Sequence, residues 1–360
     1  MTLPPPLAGL ALPAAVVGTI GAVAAPGFGV VLAGLALLAS ALWAATRRGY
    51  WVEGFGALVA AALLLRALPA VADDAGIGFW GCVLAAWLLA WHATTTLSAW
   101  QPRAAWLGRL QAVLVPLLFG LWLLVLWELI VRGAGVPSIL LPAPSAIGAR
   151  IAGSLPILWA DFQQTYLRAV LTGYAIGCSV GFVAALLIDR SPFLTRGLLP
   201  VGNMVSALPI IGTAPIMVMW FGFDWHSKAA VVVVMTFFPM MVNTLAGLKA
   251  ASRIDHDLMQ TYAASYGQTL WKMRLPLAMP FVFNALKINS TLALIGAIVA
   301  EFFGSPTVGM GFRISTEIGR MNIDMVWAQI TMAAVVGSAS YGLIALIERG
   351  TTFWHPSYRR

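Results

Sequence analysis

Long apolar runs, separated by short polar or proline-bearing stretches, make up most of the chain. A helix that crosses the hydrocarbon layer needs about 20 mostly apolar residues. Ten stretches reach that length, near residues 8–25, 28–46, 52–71, 77–97, 112–131, 166–188, 199–221, 228–248, 284–303 and 326–347. The first is rich in Ala and Gly and is closed by Pro26, so it carries the least apolar bulk. The pattern predicts an all-α, polytopic helical membrane protein of about ten transmembrane helices. Four belong to an N-terminal extension (1–105) and six to a second domain (106–360). The boundary falls in AWQPRAAWLGRLQ at 99–111, a short basic stretch. No internal repeat and no soluble domain is visible. The longest non-spanning segments are 132–165 and 249–283.

Charge orients the set, because cytoplasmic loops favour Lys and Arg. Arg47 and Arg48, Arg103 and Arg109, Arg190 and Arg196, the group Lys249, Arg253, Lys272 and Arg274, and finally Arg349, Arg359 and Arg360 all fall on one side if there are ten spans. Asp73, Asp74, Asp161 and Asp224 fall on the other. Both termini are therefore expected in the cytoplasm.

Composition agrees with a lipid-facing surface. Of 360 residues 60% are hydrophobic and 9% charged, with mean hydropathy +0.88, where a soluble domain carries roughly 25% charged residues. The net charge of +8 is spread over short loops rather than gathered on one face, so no nucleic-acid partner is expected. Cys82 and Cys178 both lie inside apolar runs and are read as neither disulfide nor metal ligands. The opening MTLPPPLAG lacks a positive stretch, so no cleavable leader is expected.

One segment is too polar to span and too long for a turn: KAASRIDHDLMQTYAASYGQTLWKMRLPLAMP, between the eighth and ninth runs. It is helix-compatible from Asp255 to Met273. Asp255 and Asp257 suit the positive end of a helix dipole, and Lys272 and Arg274 the other end. Pro276 is expected to stop the helix. Leu258, Met259 and Tyr262 recur at three- and four-residue spacing and give it one apolar face, suited to the groove of a soluble partner.

This segment resembles the coupling loop of binding-protein-dependent ATP-binding-cassette (ABC) importers. The family motif is Glu-Ala-Ala, three residues, Gly, then Leu-Pro about a dozen residues on. Anchored on Leu275 and Pro276, its Glu position falls at Asp257 and its Gly position at Ala263, with Leu258 and Met259 in place of the two alanines. A register on Gly267 fits the Leu-Pro spacing less well. GVPSILLPAPSAIGARI after the fifth run is similar to the nitrate/sulfonate/bicarbonate (taurine-type) branch of these permeases. So are ALPIIGTAPIMVMWFGFDWHSKAAVVVVMTFFPMMVNTLAGLK at 207–249 and ALIGAIVAEFFGSPTVGMGF at 293–312. Together these stretches cover most of 112–350, and the N-terminal four runs have no counterpart.

The resemblance implies a permease subunit in a bacterial inner membrane that pairs with a second copy or a close homologue. It implies two cytoplasmic ATPase subunits docked on the coupling helices (about 255–276) and a substrate-binding protein delivering a small solute outside. No G-x-x-x-x-G-K-[ST] occurs in the chain, so ATP and Mg are expected in the partner subunits and no cofactor in this one. The substrate stays open, since the resembling branch carries small anions and also pyrimidine-type vitamin precursors.

The seventh run holds Pro200, Pro209 and Pro215. Inside a helix, Pro209 would free the carbonyl of Val205 and Pro215 that of Ile211. Such breaks are tolerated where they line a cavity or pack on neighbours. Pro209 and Pro215 with Asn203, Ser206, Thr213 and, on the ninth run, Asn289 are thus candidates for the translocation pathway, with a plain structural kink and an interhelical hydrogen bond as the competing readings. Glu128 and Glu301 end their runs and are expected to touch water. Gly173, Gly177 and Gly181, four residues apart, allow another helix to approach closely. GCSVG and GIGFWG match G-x-S-x-G and G-x-G-x-x-G only formally, lacking the strand each motif needs. The four histidines are scattered, and no catalytic or metal residues are assigned. A secondary transporter or channel is the alternative function. It calls for charged residues within the spans, and the core runs show almost none.

Overall fold

The computed structural model describes residues 13–16, 28–46, 50–71, 76–102, 104–191, 209–304 and 307–353, with residue 19 and single or paired positions among 193–204. Twelve helices follow one another there: α1 Phe28–Thr46, α2 Tyr50–Val71, α3 Ile77–Ala99, α4 Ala105–Gly133, α5 Pro144–Gly153, α6 Leu155–Arg190, α7 Ile210–Phe221, α8 Trp225–Leu248, α9 Arg253–Thr261, α10 Tyr266–Phe303, α11 Met310–Gly319 and α12 Ile323–Thr351. No strand occurs among the described residues. Among the described residues six helices, α3, α4, α6, α8, α10 and α12, are long and apolar enough to cross a membrane. The expected first run (8–25) lies mostly outside the described residues, as does the first half of the seventh (199–208).

The chain forms two compact units, Met1–Ala149 and Arg150–Arg360. In the first, α1 to α3 pack through small residues. Ala33, Ala57, Ala60, Ala85 and Cys82 are fully buried, and Leu37, Leu64 and Leu89 fill the spaces between them. Gln111 of α4 closes the end of α3, its amide donating to the carbonyls of Leu97 (2.6 Å) and Trp100 (2.8 Å). At the far end of α4, Glu128 is buried, contrary to the expected contact with water. It accepts from the amide (2.9 Å) and hydroxyl (2.7 Å) of Ser145 and pairs with Arg132 at 2.7 Å. A buried carboxylate is stable only when paired in this way.

In the second unit α8 is central, packed between α6 and α10. Gly173, Gly177 and Gly181 of α6 lie against the α8 backbone. A Cβ at Gly173 would stand 2.6 Å from the carbonyl oxygen of Ala229, and one at Gly177 2.9 Å from that of Val233. Only hydrogen at these positions permits the approach. Both long helices that flank α8 contain π-helical turns, Gln163–Val170 in α6 and Leu270–Arg274 in α10. Such turns interrupt the regular ladder and recur at functional positions.

Candidate functional site

The polar segment between α8 and α10 folds as two helices rather than the single helix 255–273 the sequence predicts. Two serines set the two starts. Ser252 caps α9, accepting from the Asp255 amide (3.2 Å), while the Asp255 carboxylate receives the Ser252 hydroxyl (2.7 Å) and amide (2.9 Å). Those bonds hold the Asp255 carboxyl below the usual carboxylate range. Ser265 and Gln268 repeat the arrangement at the start of α10. Between them Ala263 adopts φ +51°, with its amide on Gln260 O and the Ala264 amide on Met259 O. This is the left-handed closure that usually calls for glycine. Pro276 does not stop the helix. α10 runs through it to Phe303, because the π-helical turn just before it spaces the ladder where a proline lacks its N–H.

No residue of α9 is buried. Ile254, Leu258 and Tyr262, four apart, form an apolar ridge with 79%, 54% and 75% of each residue exposed. At the base of this segment Arg274 grips Asp189 with two bonds (2.7 and 2.8 Å), and its Nε and one Nη donate to the carbonyl of Leu248, the last residue of α8. The Tyr266 hydroxyl also donates to Asp189 (3.0 Å), and the Arg190 guanidinium lies 5.7 Å from the Tyr266 ring centre.

At the other end of the same helices, ~40 Å away along α10, lies a sealed polar cluster. Asp161 accepts from the Gly309 amide (2.9 Å), Arg313 Nε (3.0 Å) and the Gln329 amide group (2.6 Å). Glu301 accepts from the Thr165 hydroxyl and the Gly311 amide, each at 2.7 Å. The Thr165 oxygen in turn accepts from the Met310 amide (2.8 Å). Glu301 is therefore buried, not the water-facing residue its position near the end of an apolar run suggests. Lys228, also buried, donates to the carbonyls of Phe223 and Asp224. Gly309 has φ +145°, and a Cβ there would meet the Glu301 carboxylate at 2.6 Å.

Within the spans, Asn289 is fully buried. Its amide donates to Thr236 O (2.8 Å) on α8 and to Cys178 Sγ (3.3 Å) on α6, joining three helices. Lys287 of α10 pairs with Glu348 of α12 at 2.8 Å, so the spans hold charge that their run of apolar residues hides. Pro209 is not inside a helix. It stands at the start of α7 and its carbonyl accepts from the amides of Gly212 and Thr213. Pro215 is interior, and Gly222 (φ +81°) closes α7. Asn203 and Ser206 lie outside the described residues.

Residues 177–353 match the model of the binding-protein-dependent transport system inner membrane component family. A probable ABC transporter permease protein of Haemophilus influenzae is 31% identical over 229 residues, covering 64% of this chain and 93% of the relative. The formylaminopyrimidine transport permease protein of Halalkalibacterium halodurans is 32% identical over 246 residues, covering 68% of this chain and 98% of the relative. The chain belongs to this family. It is the permease subunit of an ABC importer, a multi-pass protein of the inner membrane, of the nitrate/sulfonate/bicarbonate branch. The taurine transport system permease protein of Escherichia coli is 29% identical over 200 residues, 55% of this chain and 71% of the relative. About a third of the permease thus lies outside even the near-complete match to the formylaminopyrimidine relative.

Of the positions the motif singles out in the permease, Asp257, Leu258, Met259, Tyr262 and Ala263 share α9 and its closing turn, while Leu275 and Pro276 stand in α10 beyond the Arg274 grip. Thr213 and Pro215 share α7, apart from the deeply placed Asn289. Nothing in the sequence marks Asp189, Thr165, Arg313 or Gln329. Each is an isolated polar residue whose partner is far along the chain.

Proposed function

We propose that the permease couples to its ATPase subunits through α9 and the turn that follows, with Ile254, Leu258 and Tyr262 entering a groove on each subunit. The carrying observation is the exposure of this ridge on a doubly capped helix in which nothing is buried. An apolar helix face of this spacing fits helix-in-groove recognition. Ala263, at the motif's Gly position, has the backbone conformation that glycine favours, which supports the register on Leu275 and Pro276. In this reading the segment is cytoplasmic and both termini lie on the same side. About ten helices cross the bilayer, four of them in the extension 1–105 ahead of the permease domain 106–360. Two permease copies, or one copy and a homologue, carry two ATPases that bind ATP and Mg, and a binding protein delivers the solute on the far side.

The pathway is proposed along α7, where Thr213 and Pro215 stand beside exposed Ile211 and Gly212, with Asn203 and Ser206 just before it and Asn289 bracing the wall behind. The relatives are named for formylaminopyrimidine, taurine, sulfonate and bicarbonate transport, all small solutes, and a small solute is the cargo proposed here.

Replacing Leu258 with Asp tests the docking. Its side chain is largely exposed, so the change leaves the fold intact within roughly 0.5 kcal/mol and abolishes co-purification of the partner ATPase subunit. Full co-purification and undiminished ATP-dependent transport in the Leu258→Asp variant would end the proposal.

A further inference from the structure

Force applied to α9 has few ways into the membrane. None of its residues is buried, nor is any in the first turn of α10, so among the described residues α9 is joined to the spans chiefly through its two ends. One end joins α8 directly at Lys249–Ser252. The other joins α10 ahead of the π-helical turn Leu270–Arg274, where a helix bends most easily. Left free, that turn would absorb a tilt of α9 by bending.

The structure closes this weak point at one residue. Arg274 ends the π-helical turn. Its fork bonds both oxygens of Asp189 at the end of α6 and, on its other edge, the last carbonyl of α8. The two side chains retain 12% and 5% exposure. A guanidinium bonded in two directions fixes angle as well as distance, which a point charge does not. The grip also neutralises the negative end of the α8 dipole. Asp189 holds Tyr266 as well, so the first turn of α10 and the base of α10 meet on one carboxylate.

We infer that the Asp189–Arg274–Leu248 grip is the joint that makes α6, α8 and α10 turn together when α9 is moved, so that Asp189 and Arg274 are positioning residues for coupling. The inference rests on the docking proposed for α9, but it places the effect of these two residues after docking, in transmission. Breaking the grip leaves α9, its caps and its ridge intact while the tilt is lost in the π-helical turn.

The test uses this permease chain with its partner ATPase subunits in nanodiscs. A cysteine at Met219, exposed on α7, reports ATP-driven movement through its rate of reaction with a water-soluble maleimide, measured without nucleotide and with ATP and vanadate. In Asp189→Ala and Arg274→Ala the ATPase stays bound and hydrolyses ATP, and the nucleotide-dependent change in labelling falls about tenfold, within the usual span of coupling free energies. Arg274→Lys behaves like Arg274→Ala, since Lys cannot reach both directions. The exchanged pair Asp189→Arg with Arg274→Asp recovers part of the response. Should the alanine variants not assemble, Asp189→Asn keeps shape and one bond and shows the same loss in smaller degree. An unchanged labelling response in Arg274→Ala overturns the joint, as does loss of ATPase binding in both Asp189→Asn and Arg274→Lys, which would place these residues in docking instead. A wild-type permease that binds no ATPase refutes the docking reading itself, and is told apart from both because no variant enters into it.

Discussion

The two ends of the α6–α8–α10 core are built on opposite principles. At one end, Asp161, Thr165 and Gln329 are wholly buried and Glu301 nearly so, and backbone amides of Gly309, Met310 and Gly311 converge on them. The bonds of that cluster tie α6, α10, α11 and α12 together around the α10–α11 connection. At the other end, α9 has no buried residue, and among the described residues the Arg274–Asp189 grip, shared by Tyr266, stands between it and the spans. Removing a charge from a sealed network leaves its partner desolvated and unpaired, which costs more than an exposed pair returns. The difference teaches that one end is fixed by redundancy and the other is left with a single joint, which suits an anchor opposite a lever.

The largest effect should come from the anchor. Asp161→Ala leaves the buried Gln329 amide without its acceptor and the partly buried Arg313 without its counter-charge, and it should destabilise the core by about 3–5 kcal/mol. The readout is the thermal midpoint of the detergent-solubilised permease, or its yield in membranes. A midpoint equal to wild type would mean that the cluster is not what fixes this end, and the contrast between the ends would fail.

The next effect lies between the ends. Gly177→Ala places a methyl against Thr236 Oγ1 and Val233 O of α8. Overpacking of this kind costs about 1–3 kcal/mol, and because α8 backbone is the obstacle the helices must move apart. The same substitution at Gly148, where nothing stands within 4 Å of the added carbon, should be neutral or slightly stabilising by comparison. Equal midpoints for the two variants would show that α6 and α8 do not meet on this stripe.

What the sequence disclosed follows from the same physics. Runs at 77–97, 228–248 and 326–347 foretell α3, α8 and α12 to within a few residues, because lipid demands an unbroken apolar helix and leaves a one-dimensional trace. α10 begins eighteen residues ahead of its apolar run, at Tyr266 rather than 284, because Pro276 looks like a stop and the π-helical turn that accommodates it has no signature in composition. The buried clusters were hidden for another reason. Asp161 and Arg313 are 152 residues apart and Asp189 and Arg274 are 85 apart. Each looks alone like a loop charge, and only folding reveals that they cancel. In the sequence Asp255 only suits the positive end of a helix dipole, and its cap with Ser252, three residues away, appears in the structure.

The smallest effect concerns the turn that ends α9. An L-residue in the left-handed region pays roughly 1 kcal/mol relative to glycine, and Ala263 sits there at φ +51°. Ala263→Gly removes that strain from the folded segment but also loosens the unfolded chain, so the net gain is a little under 1 kcal/mol. A change so small and so local will not move the midpoint of the whole permease, yet it lowers the opening of α9 itself. Amide exchange at Ala264, whose N–H is bonded to Met259 O at 3.0 Å, should slow about threefold to fivefold in Ala263→Gly, with exchange in α8 unaltered. Faster exchange at Ala264 would show that α9 does not close through a left-handed residue, and with it the register that places the motif's glycine at Ala263 would be lost. A loop end whose helix can be tightened without stabilising the core behaves as a separate lever, whereas any matching change at Gly309 would be felt by Asp161 and Glu301 at once.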